Sequence, residues 1–443
     1  MQNLPKGSKK LINAWAFYDW ANSVYTLVIA SSIFPIYYGA LFKLKGTLYI
    51  EAFGSNFKST ALISFVTAAA FLVVAILSPL LSGIADYAGN KKLFLKFFCY
   101  LGASSCIGLY WFSLENIYIG LLFYFLALIG FWGSLVFYNS YLPDIAFPDQ
   151  QDAASAKGYS IGYLGSVVLL LINLAMVMTA ESNEAALSAM KLSFIMVGVW
   201  WIVFSQYTFY YLPKGQRKVG YIANKSLIFG GFKELKKVWI SLSTNPILKK
   251  YLSSFFIYSM AVQTVMLVAT YFGEQEISWK DDSQKTSGLI ISILVIQLVA
   301  VVGAQITSLL SSKIGNIRTL ILINSIWVAI CLGAYFVTTP FHFYLTAGFV
   351  GLVMGGIQSL SRSTYSKLLP ETQDTASYFS FYDVAEKIGI VIGMCIYGVI
   401  DQITGSPRLA ILFLALFFIV GVIMLNHLRI YSKKNAISFY SPN

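Results

Sequence analysis

Asp19, Arg362, Asp383, Glu386 and Lys387 are charged residues that fall inside long apolar segments of this 443-residue chain. An ionised side chain is costly there unless it is paired or faces water, so each of them is a candidate functional residue. Asp383 and Lys387 are four positions apart, so they can pair on one helical face. The five charges sum to −1. If they converge, one carboxylate lacks a permanent cation and can carry a proton. The alternative interpretation is that these groups lie at the lipid headgroups and only hold neighbouring helices together.

The segments that carry these residues are apolar and numerous. Hydrophobic residues make up 57% of the chain and charged residues 11%, with a mean hydropathy of +0.70. Apolar runs of about 20 residues between short polar turns are typical of transmembrane helices, and these runs lack the alternation of barrel strands. The sequence therefore predicts an all-α polytopic membrane protein with twelve spans, at about 13–42, 59–85, 93–113, 117–142, 157–180, 190–212, 248–273, 286–312, 318–338, 341–368, 378–401 and 407–430.

The net charge of +12 comes mostly from lysine and arginine in alternate loops, on one predicted side of the membrane. The positive-inside rule makes this side cytoplasmic and puts both termini there. We expect the positive charge to meet an anionic inner leaflet rather than nucleic acid. We expect a monomer in a bacterial cytoplasmic membrane, with the first span retained.

A repeat divides the chain in two. Asp86, Gly89, Lys91 and Lys92 form a turn between two apolar segments, and a similar Gly-Asn turn recurs at Gly315. A Leu-Pro-acid sequence likewise occurs at 142–144 and again at 369–371. Such a repeat among spans indicates two similar bundles around one pathway. We predict six-helix bundles at 1–212 and 248–443, joined by a cytoplasmic linker at 213–247 whose residues 232–239 form either an interfacial helix or a solvated segment.

Other site classes are not indicated. The sequence Gly158–Gly162 matches the nucleophile elbow of serine hydrolases, but it lacks the strand–turn–helix context and a nearby histidine. Its small residues are better explained by close helix packing. The chain has two histidines and four cysteines, all four in apolar segments, and it has no Walker A sequence. We expect no enzyme activity, cofactor or metal site.

Several strings resemble a known family. The Asp86–Lys92 loop resembles the loop between spans 2 and 3 of the major facilitator superfamily. In the second half of the chain, the position equivalent to Asp86 is occupied by Ser312, so that copy lacks the acid. More specific strings resemble the vacuole-effluxer-like (autophagy-22-like) branch and its bacterial relatives across nearly the whole chain. They are Tyr18-Asp19-Trp20-Ala21-Asn22-Ser23, Phe137-Tyr138-Asn139, Gly355-Gly356-Ile357-Gln358-Ser359-Leu360-Ser361-Arg362-Ser363 and Phe379-Ser380-Phe381-Tyr382 leading to Lys387.

The resemblance implies alternating access around a cavity lined by spans 1, 4, 7 and 10. Its aromatic and amide side chains suit a small polar or zwitterionic solute, and Arg362 could hold a carboxylate bidentately. Asp86 would close an inner gate by docking on the start of span 11. The implied binding and coupling residues are Asp19, Asn22, Tyr138, Asn139, Gln358, Arg362, Tyr382, Asp383 and Lys387, and the implied gating residues are Asp86, Gly89, Lys91 and Lys92.

We therefore expect a secondary transporter for a small solute. The fungal members of the branch imply amino acids or similar metabolites, and the spare carboxylate implies proton coupling. Two alternatives stay open at this point. One is an uncoupled facilitator of the same fold, which a pH-jump transport assay would separate. The other is a polytopic receptor or non-transporting scaffold, which would show a sizeable soluble domain.

Overall fold

The chain is almost entirely helical across the residues that the structure describes. The computed structural model describes residues 4–215 and 226–434. The first part contains α1 (Lys9–Val24), a π-helix (Tyr25–Ala30), α2 (Ile33–Lys45), strands β1 (Tyr49–Ala52) and β2 (Ser55–Lys58), α3 (Ser59–Ala88), α4 (Lys91–Gly108), a 3₁₀ turn (Leu109–Trp111), α5 (Ile117–Asn139), α6 (Leu142–Ile145), α7 (Gln151–Met178) and α8 (Asn183–Tyr211). The second part contains α9 (Ser226–Thr244), α10 (Pro246–Glu276), α11 (Asp282–Ile314), α12 (Asn316–Ala334), α13 (Pro340–Leu368), α14 (Thr375–Thr404) and α15 (Pro407–Lys434).

Eleven segments among the described residues are long and apolar enough to cross a membrane. They coincide with eleven of the twelve predicted spans. The remaining predicted span, at 378–401, corresponds to α14. This helix is 30 residues long and carries Asp383, Glu386, Lys387 and Asp401. The helical, multi-span prediction is therefore confirmed, and α14 carries three charges in its first half.

The first span is not the single continuous helix that its hydropathy predicts. Its regular α-helix ends at Val24, the backbone widens into the π-helix, and α2 resumes at Ile33. Beyond α2, Phe53 and Gly54 both have positive φ and form a two-residue turn between β1 and β2. This pair of left-handed residues fits the twist of a tight hairpin. Apolar periodicity alone could not predict either feature, because both are departures from regular backbone.

Helix boundaries follow local chemistry. The side chain of Asn245 accepts hydrogen bonds from the backbone of Ile247 and Leu248 at the start of α10, and Pro246 occupies the first turn. This combination leaves few unsatisfied backbone donors. Gly89 ends α3 with φ +61° and Gly315 separates α11 from α12 with φ +88°. Both glycines of the predicted repeat therefore adopt backbone angles that favour glycine.

The described helices pack into two compact units. Unit 1 comprises Met1–Tyr141 and Ile161–Leu235, and unit 2 comprises Leu142–Ser160 and Lys236–Asn443. Helix α7 thus begins in unit 2 and continues in unit 1. The predicted bundle boundaries at 212 and 248 remain a prediction.

The linker contains α9, so this part of the chain is helical. Residues 216–225 of the predicted linker lie outside the described range.

Candidate functional site

In unit 1, α1 and the end of α5 meet around a buried carboxylate. The hydroxyl of Tyr138 donates to Oδ2 of Asp19 over 2.8 Å. One turn earlier on α1, Trp15 stacks on the Tyr138 ring at 4.7 Å between centroids, and its Nε1 donates to the Tyr138 carbonyl over 2.9 Å. Trp15 and Asp19 are at positions i and i+4, so they share one face of α1, and this face packs against the last turn of α5. The ring, the hydroxyl and the carbonyl of Tyr138 therefore all contact α1, and these contacts orient the hydroxyl toward the carboxylate of Asp19.

Asn22 lies one turn beyond Asp19 and is 1% exposed. Its Oδ1 accepts from the Ser23 hydroxyl over 3.4 Å, whereas its Nδ2 has no hydrogen-bond partner among the described residues. Buried donors are nearly always satisfied, so an unmet one calls for an explanation such as a bound ligand or water. The π-helix begins three residues later, and such widened turns occur often at functional sites.

Small residues bring α7 close to this part of α1, as the packing interpretation of the Gly158–Gly162 sequence predicts. A β-carbon at Gly162 would lie 2.5 Å from the Ser23 hydroxyl and 3.2 Å from the Asp19 β-carbon. Another at Gly165 would lie 3.0 Å from the ring of Trp20. Close packing is confirmed at Gly162 and Gly165. Asn139 ends α5 beside Tyr138 and is half-buried.

In unit 2, α14 carries a cluster of three charges. Lys387 is 1% exposed, and its ammonium donates to Asp383 over 2.7 Å and to Glu386 over 3.1 Å. The predicted pairing of Asp383 with Lys387 is confirmed. The amide of Gln263 on α10 donates to the other oxygen of Glu386 over 2.7 Å. Two carboxylates thus share one ammonium, and these three residues carry a net charge of −1.

Tyr382 is on α14 as well, and it belongs to a cluster of aromatic side chains from α10, α13 and α14. Its ring stacks on Phe255 at 4.0 Å between centroids and approaches Tyr365 at 4.9 Å. One turn before Tyr365 on α13, the Ser361 hydroxyl lies 2.8 Å from the hydroxyl of Tyr258 on α10. These contacts hold α10, α13 and α14 together beside the three charges.

Arg362 is buried on α13, where it is tied to the start of α7. Its Nε donates to the Ser155 hydroxyl over 2.9 Å and its Nη2 to the Ser155 carbonyl over 3.0 Å. The guanidinium lies 4.3 Å from the centre of the Tyr159 ring. The fork that was predicted to hold a substrate carboxylate therefore uses two of its five donors on Ser155. Gln358 lies one turn earlier on α13 and is half-buried.

Asp152 is a buried acid that sequence reasoning missed. It accepts from Lys367 over 2.7 Å, from the Ser311 hydroxyl over 2.9 Å and from the Asn316 amide over 2.9 Å. Asn316 also donates to Thr364 over 3.0 Å. Asp152 precedes the predicted fifth span, so it was not among the charged residues that lie inside apolar segments. The available signal was its position at the expected start of a helix, where an acid is favourable.

The predicted gating loop lies in unit 1. Asp86 is buried in the last turn of α3, which Gly89 ends. Lys91 donates to the Ser140 carbonyl over 3.0 Å, and Lys92 donates to the Leu212 carbonyl over 2.6 Å. Ser140 caps the end of α5 and Leu212 the end of α8. Both lysines thus satisfy carbonyls at the negative ends of helices.

The helical architecture defines a class of protein. It is similar to the solved structure of the major facilitator superfamily proton:xylose symporter XylE bound to 6-bromo-6-deoxy-D-glucose, with a TM-score of 0.71, 11% identity, and coverage of 94% of this chain and 95% of that one. At this identity the likeness shows the fold alone. The chain has the major facilitator fold of a multi-pass membrane protein, and the predicted fold class is confirmed.

Sequence similarity then gives the family. The family model described as "Vacuole effluxer Atg22 like" matches residues 7–437. The chain is 30% identical over 422 residues to the uncharacterized MFS-type transporter YxiO of Bacillus subtilis (strain 168), covering 93% of each. It is 23% identical over 484 aligned positions to Autophagy-related protein 22 of Kluyveromyces lactis, covering 95% of this chain and 93% of that one. The chain belongs to the Atg22-like family of major facilitator transporters, which confirms the predicted resemblance and a transport function rather than an enzymatic one.

Proposed function

We propose that this transporter moves an amino acid or a similar small zwitterionic metabolite by alternating access, coupled to protons. The observation that carries the proposal is the three-charge cluster of Asp383, Glu386 and Lys387, which lies on α14, the helix that corresponds to the predicted span at 378–401, and contains two carboxylates and one ammonium. Keeping such a cluster in a membrane is costly. In a transporter that moves a proton with its solute, such a cluster can bind the proton.

Proton binding would act on the contact between α10 and α14. Ionised Glu386 accepts from Gln263 with one oxygen and from Lys387 with the other. A protonated carboxyl group carries a hydrogen on one oxygen and no longer attracts both donors as strongly. Lys387 then pairs with Asp383 alone, and the bond that the Gln263 amide donates to Glu386 weakens. The protonation state of Glu386 is thereby converted into a change in helix packing.

The unit 1 site supplies complementary groups for a zwitterion. Asn22 has a buried amide donor to offer, and Asp19 has a carboxylate three residues earlier. Residues three apart lie on neighbouring positions of one helical face. A substrate carboxylate would accept from Asn22, and a substrate ammonium would lie against Asp19. Substitution of Asn22 by alanine should therefore raise KM about tenfold, as expected for the loss of one charge-assisted hydrogen bond.

The remaining predicted residues have supporting roles in this proposal. The Tyr138 hydroxyl orients Asp19, and Asn139 offers a further amide beside it. Tyr382 contributes an aromatic wall next to the charged cluster, while Gln358 and Arg362 act on α13. We further propose that the protein acts as a monomer in a bacterial cytoplasmic membrane with both termini cytoplasmic.

Transport by purified protein in proteoliposomes tests the proposal. With one proton per solute, a pH difference of one unit is worth about 1.4 kcal/mol and drives about tenfold accumulation. We expect Glu386→Gln to abolish this accumulation while retaining counterflow of labelled amino acid. Glu274→Gln is a matched control, because Glu274 is an exposed carboxylate near the end of α10. Equal accumulation with and without the gradient would instead identify an uncoupled facilitator.

A further inference from the structure

The region Lys236–Lys250, at the end of α9 and the start of α10, is strongly basic. It contains Lys236, Lys237, Lys249 and Lys250 and no acidic residue. Lys236, Lys237 and Lys249 are exposed. Helix α9 is not among the candidate spans of the described residues, so its surface need not face the hydrocarbon core. A positive surface beside spans has its natural counterpart in negatively charged headgroups.

This part of α9 has two apolar faces, of which only one is covered. Val238 and Leu242 are buried. In contrast, Trp239 is 60% exposed and Ile240 is 51% exposed. Together with Lys236 they occupy positions i, i+3 and i+4, so they share one face. An exposed indole flanked by lysines is typical of a helix that lies in the interface between headgroups and acyl chains.

The same part of α9 is attached to the start of α14. Lys237 forms an ion pair with Asp374 over 3.2 Å. The Tyr378 hydroxyl donates to the Ser241 hydroxyl over 2.7 Å, and the Trp239 ring lies 5.6 Å from the ring of Phe381. Helix α14 carries the cluster of Asp383, Glu386 and Lys387 immediately afterwards, so anything that binds α9 also bears on this helix.

We propose that Lys236, Trp239, Ile240 and Lys249 form a docking surface for anionic phospholipid headgroups. The ammonium groups contact the lipid phosphates while the indole and the isoleucine enter the upper acyl region. Through the contacts of α9 with α14, the anionic lipid content of the bilayer sets the rate of transport. This last consequence rests on the proposed transport function, whereas the lipid contact does not.

Quenching of Trp239 fluorescence tests the lipid contact without any transport measurement. The full chain is reconstituted in phosphatidylcholine vesicles that contain either brominated phosphatidylglycerol or brominated phosphatidylcholine at the same mole fraction. The Trp239 signal is the difference between the protein and its Trp239→Phe variant. One lysine near an anionic surface enriches the lipid about fivefold, so we expect quenching by the phosphatidylglycerol to be at least about twice that by the phosphatidylcholine.

Paired lysine substitutions then separate this surface from general charge. Lys236→Gln/Lys249→Gln should lower quenching by brominated phosphatidylglycerol to the phosphatidylcholine level. Lys43→Gln/Lys45→Gln removes two exposed charges from α2 and should leave the preference intact. Equal quenching by both lipids, no quenching by either, or an unchanged preference in the Lys236/Lys249 variant would overturn the proposal. Failure of transport to respond to pH would bear only on the proposed function.

Discussion

The turn at Gly89 and the turn at Gly315 are copies of one sequence feature with different contacts. After Gly89, the side chains of Lys91 and Lys92 reach main-chain carbonyls at the ends of α5 and α8. After Gly315, the side chain of Asn316 bonds instead to the buried carboxylate of Asp152. The turn at Gly89 is therefore bonded to main-chain carbonyls, and the turn at Gly315 is bonded to a network of charged and polar side chains.

The difference matters because the two kinds of contact respond differently to change. A helix end always presents unsatisfied carbonyls, so the acceptors of Lys91 and Lys92 stay in place for as long as α5 and α8 exist. An ion pair between side chains can be broken by a rotamer change, and its partners can then find water or other groups. Within the major facilitator fold, we therefore infer that the Asp152 network is the exchangeable contact and the Lys91 and Lys92 contacts are fixed.

The largest expected effect comes from breaking the network at Lys367. Lys367→Met leaves the buried carboxylate of Asp152 without its cation, and removing one member of a buried pair costs about 3 kcal/mol or more. A thermal unfolding scan of the detergent-purified protein should show a clearly lower Tm. The double variant Asp152→Asn/Lys367→Met removes both charges and should recover most of the loss. An equally low Tm in the double variant would mean that the charge pair is not the cause.

The two glycines should differ in their tolerance of a side chain. Gly89 has φ +61° and ψ +33°, a left-handed conformation that asparagine can also adopt, whereas Gly315 has φ +88° and ψ +153°. The latter region is close to being exclusive to glycine, with a cost of about 2 kcal/mol for other residues. Since a β-carbon at Gly315 meets no atom within 4 Å, the penalty there is one of backbone conformation alone.

Asparagine substitutions measure this difference directly. Gly315→Asn should lower the free energy of unfolding by about 2 kcal/mol, and Gly89→Asn by less than about 1 kcal/mol. Parallel denaturation curves of the two variants check the ranking. If Gly89→Asn is the more damaging, the two turns are not distinguished by their backbone angles.

Sequence reasoning predicted the parts of this molecule that depend on composition and period. Hydropathy gave the spans, and the spacing of Asp383 and Lys387 predicted an ion pair that is present at 2.7 Å. Gly89 and Gly315 were found as repeated turns because glycine marks special backbone angles. These signals are local, so no tertiary information was needed.

The contacts that sequence reasoning missed join residues far apart in the chain. Asp152 and Lys367 are 215 positions apart, and neither lies in an obvious motif. Sequence reasoning likewise did not predict that Ser155 takes two donors of Arg362, and the binding of a substrate carboxylate by Arg362 stays a prediction. The orphan amide of Asn22 and the π-helix after it are likewise invisible to hydropathy, because both are properties of packed backbone.

A smaller effect than those at Lys367 and Gly315 is expected from removing Lys92, the lysine after Gly89 that caps the end of α8. Lys92→Met keeps the length and apolar stem of the side chain but removes the hydrogen bond to the Leu212 carbonyl, at a cost of about 1.5 kcal/mol. Lys96→Met is the control, since Lys96 lies on the same helix and loses a contact with the Phe209 ring, 5.4 Å away, worth about 0.5 kcal/mol. Tm should fall more for Lys92→Met while the transport rate at low temperature stays unchanged. A normal Tm with altered transport would show instead that Lys92 works as a gating residue, as the resemblance of its loop first implied.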